Sequence, residues 1–262
     1  MALNLRLLYQ LVQTEALSIP HQIFSKLQSI LDNKKLKPLD VLRYLAPTCE
    51  ESLQRCRWKG EEKRCDIIFQ MIPTSQGFCC AFNYFAMRNP IYPGFYRNLS
   101  YKSPKLPRRV SACGYQTGLE ILLSNDPNNY FLTGIPSIGH SVLIHNSYYF
   151  PASSVQTVLT ENRLLNHIDI VPSLTYSTNS LKELDIEKRN CLLFNERKLP
   201  NFEGYTYHNC IVESMIHGSV ELAQKNVENK CNCLPDCEYV EYIAQTSSGR
   251  LMSQYATNPN NL

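Results

Sequence analysis

The sequence predicts an α+β fold whose helices, strands and cysteine-rich helical segment succeed one another along the chain. Apolar residues recur at helical spacing through the first 60 residues, and short apolar runs bounded by turn residues continue to about residue 180. Closely spaced cysteines flank a further helical pattern after residue 190. We therefore expect helices at 1–66, strands at 67–180 with an exposed loop at 88–110, a disulfide-bonded helical segment at 181–245 and a polar tail at 246–262.

The composition favours an oxidising compartment. The chain has 11 cysteines in 262 residues, and cysteines this frequent are typical of a disulfide framework. No apolar run reaches the roughly 18 residues that a membrane-spanning helix needs, and residues 1–12, interrupted by Arg6 and Gln10, do not resemble a secretory signal. Extracellular cysteine usage without either feature favours the interpretation that the chain is a piece of a longer protein.

Four helices are predicted before residue 60. The first two are separated by Pro20, and a short third helix is expected near Pro38. Thr48 and Glu51 have the spacing of a capping box, and Gly60 is expected to end the fourth helix. The second helix carries an apolar stripe made of Ile23, Phe24, Leu27, Ile30 and Leu31.

Short strands are predicted after this helical region. Cys56 and Cys65 flank a polar loop and predict a disulfide-closed hairpin. A strand is expected from Ile67 to Met71, ended by Pro73. Further extended segments are expected at Gly118–Leu123, Ser141–His145, Ile168–Tyr176 and Glu238–Ile243.

The loop at 88–110 is rich in proline, tyrosine and basic residues. Its basic residues leave a nucleic-acid patch open as an interpretation, but the near-balanced net charge of +3 favours a solvated loop. Asn98 begins a glycosylation sequon in this loop.

The segment from Tyr205 to Val227 has helical periodicity and precedes a C-x-C pair, Cys231 and Cys233. Four helical residues and two strand residues both span roughly 6 Å. A helix with cysteines at positions 210 and 214 could therefore form two neighbouring disulfides with the C-x-C pair, like the rungs of a ladder. Position 210 is cysteine and position 214 is serine, so one rung is missing.

Two other site types remain open from the residues alone. Cys231, Cys233 and Cys237 with His208 and His217 form a weak zinc candidate, because C-x-C is a poor chelating span. For His145, at a strand end, a ligand or proton-sensing role is less favoured than a hydrogen bond to the backbone. No motif indicates an enzyme.

The cysteine-rich segment resembles the extracellular thumb of degenerin/epithelial sodium channel subunits, and is most similar to the insect pickpocket branch. The resemblance rests on R-N-C-L-L-F from Arg189 and C-N-C-L-P-D-C from Cys231. It is supported by G-F-C-C-A-F-N from Gly77, G-L-E-I-L-L from Gly118 and V-L-I-H-N from Val142, which stand in the family's order. The resemblance implies a helical finger, a central mixed β palm and β-ball, and a disulfide-bonded helical thumb.

The resemblance also implies a cysteine pairing. Cys191–Cys237 and Cys210–Cys233 are the candidate bonds of the thumb. Because Ser214 replaces the family's second helix cysteine, Cys231 is expected to be unpaired. Cys79 is expected to be unpaired as well, because its family partner lies just outside the first membrane helix. Cys49, Cys80 and Cys113 are left unassigned.

The implied function is that of a channel subunit rather than an enzyme. Family members are amiloride-sensitive, trimeric sodium channels of the plasma membrane, gated by force, protons, peptides or small ligands. The resemblance therefore implies a truncated extracellular portion with no cofactor, expected not to conduct alone because both pore helices are absent. The alternative is a soluble disulfide-rich module that associates with other channel subunits.

Overall fold

The computed structural model describes residues 21–36, 38–88, 106–112, 114–124, 137–152, 155–217 and 232–252. These residues form two compact units. Described residues up to Phe82 and those from Arg109 to Gly139 belong to the first unit, while 83–88, 106–108 and those from His140 onward belong to the second. The α+β fold class is confirmed. Within the described part of the chain, no helix has the length and apolarity needed to cross a membrane.

Helices open the first unit. They run from His21 to Asn33 and from Pro38 to Leu45, where the second and third helices are expected. Leu31, from the predicted apolar stripe, is buried. The first predicted helix lies outside the described residues.

The capping box forms as predicted, but the helix that it begins is short. The Glu51 N–H donates to Thr48 Oγ1 at 3.2 Å, and the Thr48 N–H donates to Glu51 Oε2 at 2.8 Å. The helix nevertheless covers only Cys49–Ser52.

The expected helix to Gly60 is wrong, because Leu53–Trp58 is strand β1. On one side β1 pairs with β2 (Glu61–Lys63), and on the other with β5 (Leu119–Leu123), both antiparallel. Lys59 and Gly60, with φ values of 56° and 75°, both adopt the left-handed region and close the β1–β2 turn. Pairing on both edges of β1 outweighs the helical signal of the capping box.

Strands β3 (Phe69–Thr74) and β4 (Gly77–Phe82) form a separate antiparallel pair. The predicted strand starts later than expected, because Cys65–Ile68 is a single helical turn. Pro73 lies inside β3 rather than ending it. A proline is tolerated there because, among the described strands, β3 pairs only with β4. The core beneath these elements consists of Cys49, Leu53, Cys56, Ile68, Phe69 and Met71.

Paired strands form two ribbons among the described residues of the second unit. Strands β6 (Gly139–Ile144) and β7 (Gln156–Glu161) pair with each other. The longer ribbon joins β8 (Leu164–Thr175) to β9 (Tyr239–Arg250) in antiparallel register, from Leu164 opposite Arg250 to Thr175 opposite Tyr239.

The strands predicted at 141–145, 168–176 and 238–243 are therefore present, and β9 is longer than expected. Thr246 lies opposite Ile168 inside the ribbon, so the polar tail predicted from residue 246 is wrong as far as Arg250. Backbone pairing with β8 does not require apolar side chains, and the polar composition of β9 beyond Gln245 hides this extension in the sequence. Residues 253–262 lie outside the described residues.

In the described residues of the cysteine-rich part of the second unit, the chain is helical in three places. Its helices run from Asn179 to Lys182, from Ile186 to Arg189 and from Tyr207 to His217. The last is the helix predicted from Tyr205 to Val227; its predicted continuation after His217 lies outside the described residues.

Candidate functional site

The helix Tyr207–His217, here called the braced helix, is held by a disulfide to residues 232–238, here called the cysteine segment. Cys210 of the helix is bonded to Cys233, with the two Cα atoms 5.9 Å apart. A second bond joins Cys191 to Cys237 at a Cα separation of 5.1 Å. On the loop-entropy estimate, these bonds contribute about 3 and about 4 kcal/mol to stability.

Backbone hydrogen bonds fix the cysteine segment beside the second disulfide. The Leu192 N–H donates to the Pro235 carbonyl at 2.9 Å, and the Cys237 N–H donates to the Leu192 carbonyl at 3.0 Å. The hydroxyl of the buried Tyr205 donates to the Leu234 carbonyl at 2.6 Å. The segment is thus held by covalent bonds and hydrogen bonds together.

The N-terminus of the braced helix has two acceptors. Thr206 Oγ1 accepts the Asn209 N–H at 3.0 Å, which is the bond of an N-cap residue. Asp236 Oδ1 accepts the Tyr207 N–H at 3.0 Å. A carboxylate at this end is favoured by the helix dipole. Burial nevertheless raises the pKa of Asp236 to about 6, against the opposing hydrogen bonds from Tyr207 and Tyr149.

Buried polar side chains tie the braced helix to its surroundings within the same unit. The fully buried Asn209 accepts the Phe150 N–H at 2.8 Å and donates to the Tyr148 carbonyl at 2.8 Å. Glu213, one turn further along the helix and also buried, accepts the Asn201 side-chain amide at 2.9 Å. The helix is therefore fixed along its length and not only at Cys210.

Ser214, the helix residue at which the sequence leaves one rung of the ladder missing, lies beside the Cys210–Cys233 disulfide. Ser214 Oγ is 4.0 Å from Cys233 Sγ, beside the disulfide that Cys233 forms with Cys210. Cys231, expected to be unpaired, lies outside the described residues.

The described cysteines of the first unit form two bonds. Cys56 is joined to Cys65, the pair that flanks the polar loop. Cys49 is joined to Cys80, a bond that the sequence leaves unassigned. The available signal is the alternation of β4: neighbouring strand residues point to opposite faces, so only one of Cys79 and Cys80 can face the core where Cys49 is buried.

Cys79 has a free thiol in the structure. Its sulfur lies 3.5 Å from Thr74 Oγ1, and burial raises the pKa of the thiol, which keeps it protonated and unreactive at neutral pH. Cys113 and the sequon residue Asn98 lie outside the described residues.

Among the described residues, the histidines of the second unit do not assemble a metal site. His145 Nδ1 lies 2.8 Å from the Asn146 carbonyl, and burial lowers the pKa of this imidazole. Cys233 and Cys237, two residues of the zinc candidate, are disulfide-bonded and so cannot act as thiolate ligands. Across the described residues there is no group of three or more histidine, cysteine or acidic side chains suited to a metal ion.

Comparison with known proteins supports the sequence interpretation. Residues 5–222 match the family model described as amiloride-sensitive sodium channel. The chain is 27% identical over 209 residues to the sodium channel protein Nach of Drosophila ananassae, covering 80% of this chain and 36% of that protein. It is 23% identical over 259 residues to Nach of Drosophila virilis, covering 86% of this chain and 64% of that protein.

A pickpocket protein is among the relatives as well. Pickpocket protein 28 of Drosophila melanogaster is 26% identical over 222 residues, covering 74% of this chain and 34% of that protein. The chain thus spans about one third to two thirds of the length of these relatives, and the predicted likeness to the insect pickpocket branch is confirmed. The family consists of ion channels rather than enzymes, and this chain belongs to the amiloride-sensitive sodium channel family.

Proposed function

We propose that this chain forms part of the extracellular domain of a sodium channel subunit, at the outer face of the plasma membrane. The observation that carries the proposal is the braced helix, which Cys210–Cys233 joins to the cysteine segment that Cys191–Cys237 anchors, in a chain that matches the channel family. The assembled channel would be amiloride-sensitive, would conduct sodium ions and would contain other subunits, in a trimer.

Within this proposal, the helices up to residue 66 belong to a finger and the strands between 67 and 180 to a palm and β-ball. The thumb comprises residues 181–245, with the braced helix at its centre. The chain covers only part of each relative. We accordingly propose that residues 1–262 alone carry no current.

The contacts of the braced helix support a lever-like role in gating. The N-terminus of the helix is hydrogen-bonded to Asp236. The residue after Asp236 is the disulfide-bonded Cys237, and β9 begins two residues later at Tyr239. A rigid displacement of the helix would therefore be passed to the β8–β9 ribbon through a short, doubly anchored connection. The stimulus that moves the helix would be a ligand or mechanical force.

A soluble module that associates with other channel subunits is the second candidate. It is favoured by apolar side chains that the β8–β9 ribbon leaves exposed, namely Leu165, Val171, Leu174 and Ile243. Exposed apolar groups along a paired strand are suited to a subunit interface.

A chimera tests the channel proposal. In this chimera, the segment of Drosophila ananassae Nach that matches this chain is replaced by the corresponding residues of this chain. The chimera is co-expressed in oocytes with the native partner subunits of Nach, and the sodium current is recorded. We expect amiloride-sensitive current from the chimera and none from residues 1–262 alone. The variant C210S/C233S should reach the surface with altered gating, while C79S serves as the matched cysteine control.

Surface labelling separates assembly from conduction. A chimera that reaches the surface but carries no amiloride-sensitive current, under conditions in which native Nach supports it, would contradict the channel proposal. Co-purification of residues 1–262 with a co-expressed subunit, with a changed current, would favour the soluble module.

A further inference from the structure

A partly open cleft of about 500 Å³ lies in the second unit, beside the N-terminus of the braced helix. Its walls come from the end of β6, the start of β7, the cysteine segment and the first half of β9. This volume falls in the range of small-molecule sites, which are usually apolar with a few convergent polar groups. The cleft is therefore of a size for an organic molecule.

Aromatic rings form one wall of the cleft. The His208 ring contacts the rings of both Tyr149 and Tyr207, with centroid distances of 5.6 and 6.0 Å. Tyr239 and Tyr242 of β9 add two more phenol rings to the lining. Aromatic faces carry negative electrostatic potential and attract cations. Burial lowers the pKa of His208, so at neutral pH this imidazole is uncharged and does not repel a positive ligand.

The charged groups that line the cleft are acidic. Asp236 and Glu241 face it, and among the described residues no lysine or arginine does. Asp236 is bonded to the Tyr207 N–H and the Tyr149 hydroxyl, and no described ion pair supplies it with a cation. Burial raises the pKa of this carboxyl to about 6, the direction expected for a half-buried acid without a counter-charge. A positive group in the cleft would supply that counter-charge.

An inorganic ion fits the cleft less well than an organic one. The described acidic and histidine side chains nowhere converge as a set of three that could ligate a metal. The aromatic rings, in contrast, suit the flat or alkyl body of an organic molecule, and the carboxylates of Asp236 and Glu241 suit its charged head.

We propose that this cleft binds a small organic cation, such as a protonated amine or amidine, with its charged head at Asp236 and its body against Tyr149, Tyr207 and His208. The proposal goes beyond the channel function and does not depend on it, because binding is measured on the chain without any current.

Isothermal titration calorimetry of the disulfide-bonded 262-residue chain, at pH 7.5, tests the proposal with two probes of the same shape. Benzamidinium is a cation and benzamide is its neutral counterpart. We expect one saturable site for benzamidinium and at least tenfold weaker binding of benzamide. Equal affinities for the two probes, or no binding of benzamidinium, would overturn the proposal.

Variants place the cation in the cleft. Asp236→Asn should weaken benzamidinium binding at least tenfold. Glu241→Gln, at an exposed position on the lining, should weaken it about two- to fivefold, and it keeps the test decisive if the Asn variant does not fold. Glu238→Gln, an exposed acid bonded to Lys182 and Ser177, is the matched control and should bind as wild type does. Wild-type affinity in the Glu241 and Asp236 variants alike would overturn the assignment.

Discussion

Asp236 connects two structural features, the N-terminus of the braced helix and the disulfide-bonded cysteine segment. Its carboxylate accepts the first N–H of the braced helix, and it stands next to Cys237, whose disulfide reaches back to Cys191. Partial burial makes the charged form of this acid costly, although the helix N-terminus and the Tyr149 hydroxyl favour it. The raised pKa is the net result of these opposing effects.

The raised pKa of Asp236 predicts a specific dependence of stability on pH. Between pH about 4 and 6 the folded chain binds this proton more strongly than the unfolded chain, so the contribution of Asp236 to the free energy of unfolding falls as pH rises. Asp236→Asn removes this titration while keeping an acceptor for the Tyr207 N–H. We expect the stability of the variant, relative to wild type, to increase by about 1–2 kcal/mol from pH 4 to pH 7, after allowance for partial exposure.

Urea unfolding of both proteins across that pH range measures the difference. Glu238→Gln is the control, because the pKa of Glu238 is lowered by Lys182 and its contribution has the opposite sign. A stability difference between the Asn variant and wild type that does not change with pH would show that Asp236 has an ordinary pKa.

Asn209 is the residue whose loss should be most costly among the polar contacts of the braced helix. Asn209→Ala leaves the Phe150 N–H and the Tyr148 carbonyl without their partner in a buried site. We expect a loss of about 2–4 kcal/mol in the free energy of unfolding. Asn33→Ala, at the exposed end of the helix His21–Asn33, should change it by less than about 0.5 kcal/mol. Equal effects of the two substitutions in urea unfolding would contradict the proposed anchoring.

At the scale of the element, local sequence signals predict where a helix begins better than how far it extends. The capping box at Thr48 forms, yet the chain leaves the helix after Ser52. Strand β1, which follows this helix, depends on pairing with β5 (Leu119–Leu123), which is distant in sequence. No local pattern contains that partner, so the helix predicted to Gly60 could not be corrected from the sequence.

Of the strands in the second unit, β6, β8 and β9 are predicted more closely because apolar runs mark them directly, whereas β7 is not predicted. The polar end of β9 has no apolar run that would predict a strand, and only its pairing with β8 shows that it is one. The braced helix is predicted from its periodicity, and the structure places its start at Tyr207, two residues after the expected one. The Cys49–Cys80 bond could not be predicted from the sequence, because it depends on which face of β4 packs against the core in the folded chain.

The β1–β2 turn offers a test of this account of the first unit. Gly60 has φ of 75°, a conformation in which a Cβ is strained even though its distance to the Gln116 carbonyl oxygen would be an ordinary 3.5 Å. We expect Gly60→Ala to lower the free energy of unfolding by about 1–2 kcal/mol. Gly249→Ala in β9, where a Cβ would meet nothing within 4 Å, should be neutral or slightly stabilising. If Gly60→Ala proved as neutral as Gly249→Ala in urea unfolding, the left-handed turn would be excluded.

At the scale of the whole molecule, the disulfides among the described residues divide evenly between the two units. Cys49–Cys80 and Cys56–Cys65 close the first unit, and the two bonds of the braced helix and cysteine segment close the second. Cross-links of this density are typical of chains that fold in an oxidising compartment. They agree with the proposed extracellular position of a channel domain, in which a stiff helix must keep its shape while it moves.

Peptide mapping of the secreted chain by mass spectrometry, without reduction, tests the braced helix most directly. We predict cross-linked peptides that contain Cys210 with Cys233 and Cys191 with Cys237, together with an alkylated Cys79. Recovery of Cys191, Cys210, Cys233 and Cys237 as free thiols, or in other pairings, would contradict the braced helix and the channel domain built on it.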